Sequence, residues 1–154
     1  MTPDRRRSMR LTVLAATVAL TAGAVAGPAV LADNHEPSVG LITKTEVNPF
    51  FVTMREAASA KAEELGIPFQ SCAGASDSDT PGQTACIENM VAAGVNYILL
   101  TPGDPIAMVG PVEAAQEQGA TVIALDTQMN PTEVADATLA TDNYQAGLFI
   151  GQWA

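Results

Sequence analysis

The chain has 154 residues, is 47% hydrophobic and 16% charged, and carries 7 basic against 17 acidic side chains, a formal charge of −10. The hydrophobic share sustains a folded core and excludes general disorder. The acid excess argues against nucleic acid as a partner, since phosphate binding needs clustered Lys and Arg. The 2 Cys exclude a disulfide-dense scaffold and a four-Cys zinc site.

Charge is unevenly placed. Arg5, Arg6, Arg7 and Arg10 are four of the 7 basic residues, and none follows Lys61. Residues 1–10 are basic, 11–32 are almost wholly apolar or small, and Val30-Leu31-Ala32 precedes the polar Asp33-Asn34-His35. That is the pattern of a secretory signal cut after Ala32, and it predicts a periplasmic or extracellular protein. The alternative is an uncleaved signal-anchor, because about 20 apolar residues can span a bilayer. Gly23, Gly27 and Pro28 favour cleavage. Cleavage leaves 122 residues with 3 basic and 16 acidic side chains. Cys72 and Cys86 would then meet an oxidising environment and are candidates for a disulfide, the alternative being two buried thiols. A closed loop of about 15 residues is worth roughly 3 kcal/mol in the chain-entropy view.

The rest of the chain reads as strand then helix, repeated. Val39–Thr43 suits a buried strand. Asn48 is an N-cap with Pro49 at the first helical position, and the helix runs through Met54, Ala57, Ala58 and Leu65 to Gly66. Ile67–Ser71 is the second strand. Thr80, Pro81 and Gln83 read as cap, first-turn Pro and capping-box residue of a helix bearing Ile87, Met90 and Val91 and ending at Gly94. Tyr97–Leu100 is the third strand. Asp104-Pro105 opens a helix ending near Gly119, with Pro111 marking a kink or restart. Thr121–Leu125 is the fourth strand and Ala137–Ala140 a short fifth. Asn143 caps a last helix with Ala146, Phe149, Ile150 and Trp153 apolar.

This order predicts right-handed βαβ units in an open, parallel, Rossmann-like α/β sheet with helices on both faces. Ligands of such sheets bind beyond the carboxyl ends of the strands. The loops there supply little for catalysis. His35 is the only His, so no Ser-His-Asp or Cys-His set can be assembled. No glycine pattern for a nucleotide follows any strand, and no carboxylate cluster resembles a metal site. The chain is therefore expected to be no enzyme and to need no cofactor or metal.

The first loop does supply a grip. Asn48-Pro49-Phe50-Phe51 places two of the 4 Phe beside a side-chain amide. An aromatic face suits the C–H face of a sugar, and amides and carboxylates bond its hydroxyls. The alternative is that one or both Phe belong to the helix–sheet core and Asn48 is only a cap. Asp126, at the end of the fourth strand, can accept two hydroxyl hydrogens or serve as a turn residue. Asp104 reads as a cap, and Asp77, Ser78 and Asp79 as a polar loop without a special role.

Val39-Gly40-Leu41-Ile42, Asn48-Pro49-Phe50-Phe51 and Ala124-Leu125-Asp126 together resemble the type I periplasmic sugar-binding proteins, the ribose-binding-protein-like receptors of ATP-driven importers. Ile87–Val95, Leu99-Leu100-Thr101-Pro102 and Ala140-Thr141-Asp142-Asn143 fit as well, so the similarity covers residues 38–154. Lys44-Thr45-Glu46-Val47 and Asp126-Thr127 look most like the fructose-binding branch. The resemblance implies that Phe50 and Phe51 stack on a monosaccharide, that Asn48 and Asp126 bond hydroxyls, and that Lys44 and Thr127 complete the contacts. Ribose receptors have Arg where Thr127 stands, so a bidentate contact is absent. Family members have two lobes. The expected division is 1–32 signal peptide, 33–142 N-terminal lobe and 143–154 the start of a second lobe, truncated after the hinge crossing. Such an isolated lobe would leave Phe50 and Phe51 exposed. The implied role is delivery of fructose or a related hexose or pentose to the permease of an ABC transporter, by a protein monomeric at full length. Ligand sensing for chemotaxis or two-component signalling is the alternative.

Overall fold

In a computed structural model, Glu36–Ala154 are described. The expected export signal, 1–32, and His35 lie outside these residues. Five strands alternate with helices: β1 Val39–Thr43, α1 Pro49–Leu65, β2 Phe69–Ala73, α2 Thr80–Ala92, β3 Tyr97–Leu100, α3 Val109–Glu117, β4 Thr121–Leu125, β5 Ala137–Leu139 and α4 Asn143–Trp153. A short 3-10 turn, Thr132–Val134, bridges β4 and β5. Every pair is parallel, in the order β2-β1-β3-β4-β5. The α/β class, the parallel sheet and the helices on both faces stand as read from the chain.

The order explains which face each helix takes. The step from β1 to β2 runs opposite to the steps β2–β3 and β3–β4. Right-handed crossovers therefore put α1 on one face and α2 with α3 on the other. Helix α1 packs on β1 and β2, α2 on β1, β2 and α3, and α3 on β4. The main core lies on the α2–α3 side. Ile42, Ile98, Leu100, Val122 and Ala124 meet Ile87, Met90, Met108 and Val112 there. Gly40 lets Met90 pack close on that face, and a Cβ there would push the end of the Met90 side chain aside.

Several boundaries differ from the sequence reading, each for a local reason. The second strand begins at Phe69, two residues late, because it pairs only with β1 and the register Val39↔Phe69 sets its start. Asp79, not Thr80, caps α2, with Oδ1 accepting from Gly82 N–H at 3.0 Å. Gln83 is no capping-box residue, since its side chain turns inward. The third helix begins at Val109 and not at Asp104. Asp104 Oδ1 instead accepts from Ile106 and Ala107 N–H at 2.9 and 3.0 Å, holding a separate turn. Pro111 thus falls in the first turn of α3, where its missing N–H costs nothing. Asp142, not Asn143, caps α4, accepting from Gln145 N–H at 2.9 Å. No residue of α4 is buried, and Leu65 at the end of α1 is exposed. Among the described residues, no helix is long and apolar enough to cross a membrane.

Candidate functional site

Because all strands are parallel, Thr43, Ala73, Leu100, Leu125 and Leu139 end on one edge of the sheet. The candidate residues lie just past that edge. Asn48 holds the start of α1: its Oδ1 accepts from Phe50 N–H at 3.0 Å. That bond aims the first turn of the helix over the edge. Phe50 is 53% exposed and Phe51 only 5%, so Phe51 packs in the core and does not share the expected exposure. Their rings meet edge to face, 5.4 Å between centroids at 66°. Phe51 thereby braces the ring of Phe50.

Among the described residues other than glycine, Asp126 stands out by its positive φ. Its φ is +62°, in the left-handed region that L residues other than Asn and Asp rarely enter. Thr127 N–H donates to Leu125 O at 2.6 Å across it, and its own N–H donates to Leu139 O at 2.9 Å. Backbone of this kind costs about 1–3 kcal/mol and clusters at ligand sites. Lys44, half-buried after β1, donates from Nζ to Thr127 Oγ1 at 2.9 Å. Thr127 Oγ1 lies 3.4 Å from Asp126 Oδ2, to which it donates. A cation, a hydroxyl and a carboxylate thus stand in a row where β1 and β4 end.

Phe50 and Asp126, 76 positions apart, line one hollow of about 270 Å³ with Met54, Leu125, Leu139 and Thr141. A second hollow of about 430 Å³ is lined by Asp126, Thr127, Gln128, Ala140, Thr141 and Asn143. Asp126, Ala140 and Thr141 are common to both. Asn48, Phe51 and Lys44 line neither. Met54, Gln128 and Thr141 were not among the expected site residues. Met54 carried a usable signal, since it stands four residues after Phe50 on the same helix face. A larger hollow of about 460 Å³ lies between α1 and β2, lined by residues such as Arg55, Glu63 and Gln70, and holds none of the candidates.

Cys72 and Cys86 are joined, with Cα atoms 5.9 Å apart, linking β2 to α2. The carboxyls of Asp79 and Asp104 are held below the ordinary range by backbone N–H groups. Ala75 and then Gly82 do so for Asp79, and Ala107 and then Ile106 for Asp104. Among the described residues, no group of three or more His, Cys, Asp or Glu side chains is placed to hold a metal ion.

The periplasmic binding protein domain family matches residues 39–154. The chain is 29% identical over 150 residues to a D-ribose/D-allose-binding protein of Pseudomonas aeruginosa, covering 91% of this chain and 47% of that one. It is 32% identical over 116 residues to a D-apiose import binding protein of Actinobacillus succinogenes, covering 75% and 36%. Among solved structures, an ABC transporter periplasmic solute-binding protein of Actinobacillus succinogenes with bound D-allose aligns with a TM-score of 0.65 at 27% identity. That alignment covers 72% of this chain and 41% of that one. The chain spans less than half the length of these relatives.

Proposed function

This chain belongs to the periplasmic binding protein domain family, and from that premise we propose that it is a solute receptor. It holds a monosaccharide outside the cytoplasm and delivers it to the permease of an ABC transporter. Residues 33–142 act as the first lobe of a two-lobe receptor, residues 143–154 begin the second, and residues 1–32 are the export signal. The ligand is a hexose or pentose, with fructose the preferred member because Lys44-Thr45-Glu46-Val47 and Asp126-Thr127 resemble the fructose-binding branch and Thr127 stands where ribose receptors carry an Arg. Relatives that bind or import ribose, allose and apiose support the class.

One observation carries the reading. Phe50 and Asp126 reach the same hollow from the first turn of α1 and the loop after β4, one an exposed aromatic and the other an aspartate in left-handed backbone. The ring of Phe50 covers a C–H face of the sugar. Asp126 accepts hydrogens from two neighbouring hydroxyls, steadied by the hydroxyl hydrogen of Thr127, while Lys44 donates an N–H not used on Thr127 to a ring or hydroxyl oxygen beside it. Asn48 spends its carbonyl oxygen on the cap and keeps its amide N–H donors for the ligand. A second lobe closing over this edge supplies the remaining contacts and converts binding into a shape the permease recognises.

Calorimetric titration of the protein with fructose, ribose, allose, apiose and myo-inositol tests this. Heat with at least one sugar, lost in Asp126→Ala, is the expected outcome. Silence with all of them overturns the sugar reading.

A further inference from the structure

Gln83 is 1% exposed, one of the few buried polar side chains among the described residues, and it sits one turn inside α2. Its amide is fully used. Nε2 donates to Thr43 O at 3.1 Å and to Thr101 O at 2.9 Å, and Oε1 accepts from Gly103 N–H at 2.8 Å. Thr43 is the last residue of β1, and Thr101 and Gly103 follow the last residue of β3. The β1–β3 ladder ends with Thr101 N–H donating to Ile42 O at 2.8 Å. Gln83 continues the pairing one step past it with a side chain.

A third loop is drawn into the same place. Gly74, after β2, donates its N–H to Thr43 O at 3.3 Å, and a Cβ there would lie 2.9 Å from Lys44 O. A Cβ on Gly103 would lie 2.5 Å from Asp77 O. Three loops at the carboxyl edge therefore pack backbone to backbone, and the amide of Gln83 joins two of them directly. Lys44, which reaches Thr127 beside Asp126, is the very next residue after one of its partners.

We infer that Gln83 is a positioning residue of the ligand edge, setting the backbone from which Lys44 reaches Thr127 beside Asp126. It rests on the solute-receptor reading but touches neither hollow. Only a primary amide serves here, because the site needs two donors for carbonyls and one acceptor for an N–H. A carboxylate of the same shape would set oxygen against two carbonyl oxygens. A methionine of similar length would leave all three backbone groups unpaired.

The test compares Gln83→Met and Gln83→Glu with Val112→Ala, a core change in α3 away from the edge. Each is checked for folding by circular dichroism, then titrated with whichever sugar binds the unaltered protein, well below its unfolding midpoint. Both Gln83 variants should bind about tenfold or more weaker at neutral pH, the scale of one lost buried hydrogen bond and its unpaired partner. Val112→Ala should lose stability and keep its affinity. Amide NMR reads the same claim without ligand. The Gly103 amide should shift and exchange faster in Gln83→Met, and the Lys44 and Thr127 signals should move with it. If Gln83→Met fails to fold, Gln83→Glu carries the comparison. Unaltered affinity and unmoved Lys44 and Thr127 signals in a folded Gln83 variant overturn the inference. If no sugar binds the unaltered protein, the receptor reading fails by itself and the amide signals still decide what Gln83 holds.

Discussion

On the α2–α3 side of the sheet, Ile42, Ile98, Leu100, Val122 and Ala124 are all removed from solvent. On the α1 side, the alternate residues of β3, β4 and β5 are not. Leu99, Ile123 and Leu125 are half-buried, Tyr97 is 42% exposed and Leu139 65%. The reason is width. A helix about 10 Å across covers roughly two strands spaced about 4.8 Å apart. Among the described residues, two helices serve the first face and α1 alone serves the second, where it lies over β1 and β2. The apolar strands thus show that cover is wanted on both faces without showing what supplies it. The candidate ligand hollow lies where the open face meets the carboxyl edge, since Leu125 and Leu139 share it with Phe50, Met54 and Asp126.

The contrast can be broken by paired substitutions. Leu100→Ala on the covered face should cost about 3 kcal/mol or more of unfolding free energy, and Ile123→Ala on the open face about 1 kcal/mol. Equal costs in urea titrations would mean that the second face is covered in solution. Cys72→Ser with Cys86→Ser should remove roughly 3 kcal/mol, read by the same titration. The link joins the edge strand to α2, so an unchanged midpoint would show that packing alone holds the covered side.

The two Phe side chains sharpen the comparison at the site. Phe51→Ala should cost about 3 kcal/mol of stability, as a truncated core ring does. Phe50→Ala should leave stability nearly unchanged and weaken sugar binding by about 1 kcal/mol, roughly fivefold in Kd. Calorimetry and thermal melts on both variants check the exchange of effects.

The smallest effect concerns acid. Asp79 caps α2 and Asp104 holds the turn before α3, both on the covered side, and both carboxyls lie below the ordinary value of 3.8. A depressed carboxyl adds stability that is fully present above its unfolded value and lost as pH falls through the folded one. Stability should therefore hold steady from neutral pH down to that ordinary value and decline below it. Asp79→Asn keeps an acceptor at the cap without a titrating proton, so its decline should be shallower. Urea midpoints measured across an acid series give the comparison.

Much of this was legible in the chain. The first, third and fourth strands fall where apolar runs placed them, and Asn48, Pro49 and Gly66 bound α1 as their local chemistry requires. The motifs at the strand ends gather along one edge of the sheet, and Phe50 and Asp126 meet there at one hollow. Met54, Gln128 and Thr141 were less visible, because a hollow is completed by whatever neighbours the fold delivers.

By itself the sequence determined the alternation of strand and helix and the parallel sheet. Caps, periodicity and residue supply act within a few positions of chain. Tertiary structure alone decided which Phe is buried, which sheet face stays open and what Gln83 does. A capping-box partner lies within the same turn of helix, whereas Thr43 and Thr101 lie 40 and 18 positions away. Only the folded sheet brings those carbonyls to the amide, and once buried they leave it no better partner.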